Sequence, residues 1–105
     1  ELKVSGEARE LPKQVEHALY RATQEGLTNV RRHARASSVK VELDYDTDGG
    51  ITLIISDNGV GVDLEKIEEG FGLFGLKERV YLLDGRITLH GMEPQGSSLE
   101  VFIPV

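Results

Sequence analysis

Hydrophobic residues recur along this chain with two different periods, and the change from one to the other predicts the secondary structure. From Lys13 to about Arg35, apolar residues recur at three- and four-residue steps, which is typical of a helix with one buried face. Pro12 stands directly before this segment, where proline is tolerated at a helix start. A second segment with helical spacing, Leu73–Leu83, ends at the Asp84-Gly85 pair. We therefore predict two helices.

The remaining apolar residues alternate with polar ones and predict strands. These are a short strand within Glu1–Arg9 that ends at Gly6, and the segments Val39–Tyr45, Ile51–Ser56, Arg86–His90 and Ser98–Val105. The turn at 46–50 contains glycine and aspartate and predicts a hairpin, and residues 92–96 predict a second turn. Three consecutive apolar residues at 53–55 indicate a central strand covered on both faces. Residues 64–69 are compatible with one helical turn.

The resulting order is strand, helix, strand, strand, loop, helix, strand, strand. This order predicts an α/β fold, a two-layer α/β sandwich with a mixed, mostly antiparallel sheet and helices on one face. The 105 residues are enough for one core, so we expect a single domain over residues 1–105. Because the chain starts at Glu1 rather than at methionine, we expect it to be a piece of a longer protein.

Composition narrows the possible partners. The formal net charge of −6 argues against a general nucleic-acid binder, which needs a basic surface. No apolar run is long enough to cross a bilayer and no signal-like segment is present, so we expect no direct membrane contact. Without cysteine, neither disulfides nor thiolate metal sites are available. Basic residues cluster near 31–35 and at 77–79, where a solvated helix face is the ordinary explanation.

Glycines are concentrated between Asp57 and Gly75, where five occur in nineteen residues. Glycine is costly in conformational entropy, but it lets a ligand or another backbone approach closely. A carboxylate at a strand end, followed by two glycine clusters of which the second opens a helix, is one way to build a nucleotide site. The alternative is a long surface loop with turn glycines.

On the first helix, Glu25 and Asn29 are four positions apart and project from the same side. The Asn29 amide oxygen is a suitable ligand for a nucleotide-bound magnesium ion, and Glu25 could position or deprotonate a water or an acceptor. Gly26 between them would admit another backbone or a ligand. On spacing alone, a polar pair on a solvated face is the stronger explanation.

Asp57 follows the predicted central strand, and its carboxylate accepts hydrogen bonds only. It therefore suits the exocyclic amine of adenine and would repel the carbonyl oxygen of guanine. The alternative is an ordinary Asp-Asn-Gly turn. Gly59 and Gly61 would let the chain fold over a ring, and the segment Gly72–Gly75 would present helix amides to a phosphate chain.

Together these segments resemble the ATP-binding domain of the GHKL superfamily, and within it the domain of sensor histidine kinases in the NarX/DesK/LiaS/VraS-like subgroup. The resemblance covers almost the whole chain and rests on four blocks in order. They are the N box Gln24–Ala34, the G1 box Asp57–Gly61, the G2 box Gly70–Arg79 and the segment Gly96–Leu99. Any one block is weak, whereas four at suitable spacing are a strong signal.

The resemblance implies a Bergerat-type fold that binds ATP and Mg²⁺. Asn29 would be the magnesium ligand and Asp57 would bind the adenine amine. The remaining nucleotide-binding residues would shape the adenine pocket (Gly59, Gly61, Ser97) or lie near the phosphates (Arg32, His33, Gly72, Leu73, Phe74, Gly75). Residues between Asp63 and Gly70 would form a very short lid. Glu25 would be the catalytic residue. Many histidine kinases carry asparagine at the matching position, whereas hydrolysing relatives carry a catalytic glutamate there, and NarX-like kinases commonly have glutamate as well.

The implied activity is transfer of the γ-phosphoryl group of ATP to a histidine on a separate dimerisation domain, with a response regulator as downstream partner. The helices that carry such a histidine are missing from this sequence. His17, His33 and His90 lack that setting, so we predict no autophosphorylation by the chain alone. We expect a cytoplasmic location, with the parent a candidate membrane sensor. Alternatives are a GHKL ATPase or anti-sigma-type serine kinase, and a non-catalytic docking module.

Overall fold

The computed structural model describes residues 1–31, 37–45, 48–59, 73–91 and 96–105. Within these ranges the chain forms five strands and two helices, in the order that the sequence predicts. In chain order they are β1 (Leu2–Ser5), α1 (Lys13–Asn29), β2 (Val39–Asp44), β3 (Gly50–Asp57), α2 (Leu73–Leu82), β4 (Arg86–Gly91) and β5 (Ser97–Pro104). The predicted helical turn at 64–69 lies outside the described residues.

All five strands belong to one sheet with the order β1-β2-β3-β5-β4. β1 and β2 are parallel, and the other three neighbouring pairs are antiparallel. The predicted hairpin is confirmed, because β2 and β3 pair with Leu43 opposite Leu53. β3 lies in the middle of the sheet, as its consecutive apolar residues predict.

Both helices pack on the same face of the sheet, as predicted. That face supplies alternate residues of β3 and β5 to the core, and α1 supplies its apolar stripe. The buried core is formed by Leu11, Val15, Ala18, Leu19, Ala22, Ile51, Leu53, Ile55, Leu76, Val80, Ile87, Leu99, Val101 and Ile103. Burial of these side chains is the main favourable term in folding, at about 25 cal/mol per Å² of apolar surface.

The opposite face of the sheet has no helix over it among the described residues. Ile54 and Ser56 of β3 project there and are only half-buried. Thr52 on this face is buried, so within the described residues the prediction that β3 is covered on both faces is met only in part. On this outer face the guanidinium of Arg86 stacks over the Phe102 ring, with its carbon 5.1 Å from the ring centroid. An apolar run of three residues thus marks a central strand without requiring a third layer.

The second helix ends where the sequence predicts. The amides of Leu83 and Gly85 donate to the carbonyl of Val80, at 3.0 and 2.9 Å, which satisfies helix-end acceptors. Asp84 adopts a positive φ of 61°, a conformation that aspartate tolerates better than most residues. No helix in the described ranges is both long enough and apolar enough to cross a membrane.

Candidate functional site

The carboxylate of Asp57 is held by two hydrogen bonds at the end of the central strand. Asp57 is the last residue of β3 and is 7% exposed. The Gly59 amide donates to its Oδ1 at 2.8 Å, and the Ser97 hydroxyl donates to its Oδ2 at 2.6 Å. A buried carboxylate needs such partners, because removing it from water without them is costly. Carboxylate oxygens have further acceptor positions, so a donor from a ligand can be added.

Ser97 reaches Asp57 because the two residues are direct partners in the β3–β5 register. The residue before it, Gly96, has a φ of +110°, which side chains rarely permit. A Cβ at Gly96 would also collide with the main-chain oxygen of Asp57. The start of β5 is therefore held against the end of β3 by a close backbone approach. The structure thus brings together three predicted site residues, Asp57, Gly59 and Ser97.

Asn58 fastens the loop after β3 to the segment that precedes β2. Its side-chain Oδ1 accepts from the amides of Ser37 and Ser38, at 3.0 and 2.9 Å. Its Nδ2 donates to the Ser37 hydroxyl at 2.8 Å, and its main-chain amide donates to the Ser38 carbonyl at 3.3 Å. From the sequence, Asn58 is predicted only as part of a turn, and its hydrogen bonds to Ser37 and Ser38 are not predicted. The Asp-Asn-Gly triplet is the signal that could have suggested them.

A pocket of about 540 Å³ is lined by Asp57, Asn58, Ser37 and Ser38, among other residues. Lys40 lines it and forms an ion pair with Glu42, with Nζ 2.9 Å from Oε1. The hydrogen bond to Glu42 and the attraction of its charge raise the pKa of Lys40. Lys40 therefore stays cationic at neutral pH, with its charge largely compensated by its partner.

Glu25 and Gly75 line a second cleft, which lies between the two helices. The cleft has a volume of about 180 Å³, and its other lining residues are Arg21, Leu76 and Arg79. Two predicted site residues, a candidate catalytic carboxylate and a candidate phosphate-binding glycine, therefore face the same space. No described atom would lie within 4 Å of a Cβ at Gly75, so the wall of the cleft is open there.

The two arginines give this cleft its positive charge. Guanidinium groups bind phosphate oxygens with two parallel hydrogen bonds, so Arg21 and Arg79 are suited to an anionic ligand. Arg79 also donates from Nη1 to Nδ1 of His17, 3.0 Å away, which joins α2 to α1. From the sequence, Arg79 is predicted only as part of a basic cluster, and no function is predicted for Arg21. Arg21 and Glu25 are four positions apart and lie on one side of α1, which is the sequence signal that could have identified Arg21.

Gly26 lets α1 lie directly on the sheet. A Cβ at this position would be 2.6 Å from Cδ1 of Ile55 and 3.4 Å from Cδ2 of Leu99. The neighbours of Gly26 are thus core side chains of β3 and β5. The expectation that it admits another backbone or a ligand is wrong for the described residues. Its effect on the site is indirect, because it sets the distance between the helix that carries Glu25 and the strands that carry Asp57 and Ser97.

For some predicted site residues the structure gives only the position along a helix, and others lie outside the described residues. Asn29 is the last residue of α1, and Leu73 and Phe74 are the first two of α2. Arg32, His33, Gly61, Gly72 and the predicted lid at 63–70 lie outside the described residues. Within the described ranges no three histidine, aspartate or glutamate side chains are grouped to bind a metal ion. A metal held mainly by its ligand's phosphates and one amide oxygen needs no such group.

Comparison with known proteins identifies relatives of the chain. Residues 14–105 match the sequence model of the family described as histidine kinase-, DNA gyrase B-, and HSP90-like ATPase. The signal transduction histidine-protein kinase/phosphatase DegS of Brevibacillus brevis is 41% identical over 101 residues, which cover 95% of this chain and 26% of DegS. The sensor protein VraS of Staphylococcus aureus is 34% identical over 96 residues, 90% of this chain and 27% of VraS. The chain thus spans about a quarter of these relatives.

Solved structures of low sequence identity share the fold. The histidine kinase domain of the blue-light activated histidine kinase from Erythrobacter litoralis EL346 superimposes with a TM-score of 0.76 at 21% identity, covering 98% of this chain and 53% of that one. The ATP-binding domain of PrrB from Mycobacterium tuberculosis gives a TM-score of 0.65 at 24% identity, covering 98% of this chain and 79% of that one. The two-layer arrangement of helices on a mostly antiparallel sheet is therefore shared with these domains.

Proposed function

Because the chain belongs to the histidine kinase-, DNA gyrase B- and HSP90-like ATPase family, we propose that it is the ATP-binding catalytic domain of a two-component sensor histidine kinase. In this proposal residues 1–105 are one domain of a longer protein, and they donate the γ-phosphoryl group of ATP to a histidine on a separate dimerisation domain. The observation that carries the proposal is the buried Asp57 carboxylate, oriented by the Gly59 amide and the Ser97 hydroxyl at the end of the central strand.

The Asp57 carboxylate is the proposed base-recognition group. With both oxygens already oriented, it can accept a hydrogen bond from the exocyclic amine of adenine without further ordering. Guanine presents a carbonyl oxygen there, which would face the carboxylate with no proton between them. The Ser97 hydroxyl directs its proton to Asp57, so its oxygen keeps acceptor capacity toward the same base. Gly59 and Gly61 would leave room for the ring.

The phosphates are proposed to extend from the base toward the first turn of α2. The ten-residue helix begins at Leu73, and its first amides carry the positive end of the helix dipole. Gly72, Leu73, Phe74 and Gly75 would offer that end to the phosphates, with Arg32 and His33 as additional donors. The Asn29 amide oxygen would be the protein ligand of Mg²⁺. When bound, the ion would neutralise phosphate charge, which is the main electrostatic requirement of phosphoryl transfer.

Glu25 is proposed to orient the attacking group. Both Glu25 and Gly75, a candidate phosphate-binding residue, line the cleft between the helices. The same observation supports a second candidate function, a GHKL ATPase or an anti-sigma-type serine kinase, in which Glu25 would activate water or a hydroxyl group. The two candidates differ in the acceptor and not in the nucleotide site.

Partners and location follow from the proposed activity. The proposed partners are the histidine-bearing dimerisation domain of the same parent and a downstream response regulator, with the domain in the cytoplasm. DegS and VraS, which match this chain over about a quarter of their length, are named as a histidine kinase and a sensor protein. Those names support the proposal for the parent protein.

Nucleotide titration tests the proposal. Saturable binding of a non-hydrolysable ATP analogue is expected, tighter with Mg²⁺ than without it and much tighter than binding of the matching GTP analogue. Absence of saturable binding, or equal affinity for the two nucleotides, would contradict the proposal. Release of inorganic phosphate by the chain alone, abolished in Glu25→Gln, would favour the ATPase alternative over transfer to histidine.

A further inference from the structure

We propose that Asn58 is a positioning residue, which orients the Asp57 carboxylate by fastening the strand-end loop to Ser37 and Ser38. The inference rests on the proposed function, because it concerns the group that would recognise the base. It assigns a function to a side chain that would not touch the nucleotide itself.

Several hydrogen bonds converge on the Asn58 side chain. One oxygen, Oδ1 of Asn58, accepts from two successive amides, those of Ser37 and Ser38, at 3.0 and 2.9 Å. The amide nitrogen of the same side chain donates to the Ser37 hydroxyl at 2.8 Å. The side chain of Asn58 is exposed, so it contributes little by apolar burial. What the side chain supplies is therefore directional, and it joins positions twenty residues apart.

The hydrogen bonds of Asn58 with Ser37 and Ser38 are connected to Asp57 through the Gly59 amide. Asn58 lies between Asp57 and Gly59, and the Gly59 amide is the donor to Oδ1 of Asp57, at 2.8 Å. Holding Asn58 in place fixes the peptide unit that carries this donor. Ser97 holds only the other oxygen, Oδ2. If the loop were released, the carboxylate would lose the Gly59 donor and gain rotational freedom, and ordering it on ligand binding would then cost affinity.

The test compares ATP and GTP affinities of Asn58→Ala with those of the wild-type chain. ATP affinity should fall about threefold to tenfold, the equivalent of one or two lost net hydrogen bonds, while GTP affinity stays unchanged. The ratio of the two affinities is therefore the decisive measurement. A purely structural function would lower the melting temperature without changing the ratio at a temperature where the protein is folded. An unchanged ratio, or an equal loss for both nucleotides, would overturn the inference.

Two further variants separate the contacts. Asn58→Asp keeps acceptor oxygens for Ser37 and Ser38 and should restore most of the wild-type ratio. Ser37→Ala removes only the acceptor of Nδ2 and should lower the ratio by about twofold. The proposed geometry would be contradicted if the ratio of ATP to GTP affinity in Asn58→Asp were no higher than in Asn58→Ala. If Asn58→Ala did not fold, a wild-type ratio in Ser37→Ala would contradict it.

The matched control is Arg86→Ala, on the outer face of the sheet. It removes the stacking of Arg86 on Phe102 and should lower stability while leaving the affinity ratio at its wild-type value. The wild-type titration distinguishes the two levels of failure. A wild-type chain that does not prefer ATP refutes the proposed function, whereas a wild-type preference that persists in Asn58→Ala refutes only the function of Asn58.

Discussion

Each oxygen of the Asp57 carboxylate is held by a donor from a different part of the chain. Gly59 donates to one oxygen from two residues away, and Ser97 donates to the other from forty residues away. The carboxylate is therefore oriented before a ligand arrives, which lowers the entropic cost of binding. At the residue scale, the proposed selectivity for adenine depends on the charge and orientation of this single group.

Asp57→Asn tests the charge of that group. We expect a loss of ATP affinity of about tenfold to a hundredfold, because hydrogen bonds to a charged acceptor contribute about 1.5–3 kcal/mol. The preference over GTP should shrink with it, since an amide can also donate to a guanine carbonyl. Calorimetric titration with both nucleotides measures the two effects. Wild-type affinity and selectivity in the variant would remove Asp57 from its proposed function.

Gly96→Ala tests the close approach of β5 to Asp57. At a φ of +110° an alanine is strained, and its Cβ would collide with the Asp57 main-chain oxygen. We expect a decrease of at least about 2 kcal/mol in the free energy of unfolding, together with weaker ATP binding. Denaturant unfolding gives the first quantity. Gly49→Ala is the control, because Gly49 has a positive φ but no described atom would lie within 4 Å of an added Cβ, so the substitution should cost less.

The sequence reveals some of these residues better than others. Asp57 is recognisable because an apolar run stops at a carboxylate followed by glycines, and chemistry alone then suggests an adenine amine. Ser97 is suggested only by family resemblance, because nothing local marks its hydroxyl. The contacts of Asn58 with Ser37 and Ser38 were not predictable, since they depend on how two distant segments are placed after folding.

At the element scale, the main feature is how closely α1 lies on the sheet. Gly26 faces Ile55 and Leu99 without a side chain of its own, so the helix axis approaches β3 and β5 there. Glycine in a helix interior costs about 1 kcal/mol relative to alanine, a cost that this contact offsets. The spacing between the helix that carries Glu25 and the strand that carries Asp57 is thus set by one glycine.

A double-mutant cycle tests this contact. Gly26→Ala should destabilise the wild-type chain by about 1 kcal/mol, because overpacking against Ile55 outweighs the gain in helix propensity. In an Ile55→Val background the Cδ1 atom is gone, so the same change should be neutral or stabilising by up to about 1 kcal/mol. Urea unfolding of the four proteins gives the coupling energy. Equal effects of Gly26→Ala in both backgrounds would contradict the contact.

Element types and order were predictable, whereas element ends and sheet coverage were not. Helical and strand periods differ enough to assign all seven elements from the sequence. β3 continues one residue past its predicted end, to Asp57, and β5 begins one residue before its predicted start, at Ser97, because those two residues pair with each other. That pairing is invisible in either segment alone. Coverage of β3 was overestimated because an apolar run shows hydrophobicity but not which layers are present.

At the scale of the whole molecule, the two faces of the sheet differ in their chemistry. The helices, the core and the cleft with Glu25 lie on one face. The other face presents polar side chains of β4 and β5, among them His90, which pairs with Ser98. The proposed site of phosphoryl transfer therefore lies on the helical face of the sheet, and the acceptor has to approach from that face.

We predict that the chain does not phosphorylate itself, because it lacks the helices that carry a phosphoacceptor histidine in the proposed family. Of the two histidines that the structure describes, His90 lies on the face opposite the cleft, and Nδ1 of His17 accepts a hydrogen bond from Arg79. His33 lies outside the described residues. In-line transfer needs the acceptor about 3–3.5 Å from phosphorus. Incubation with γ-labelled ATP should leave the chain unlabelled, whereas adding the histidine-bearing domain of the same parent should produce acid-labile label on that domain. Acid-labile label on the chain alone would contradict this prediction.

The register between Asp57 and Ser97 also has a kinetic consequence. These residues are forty positions apart, so their pairing requires closure of a long loop, and such non-local strand contacts slow folding. If the pair forms after the rate-limiting step, a ligand that needs it cannot stabilise the transition state. We therefore expect saturating ATP analogue to slow unfolding in stopped-flow denaturant jumps and to leave the refolding rate unchanged. The nucleotide would thus lengthen the lifetime of the native state without speeding its formation.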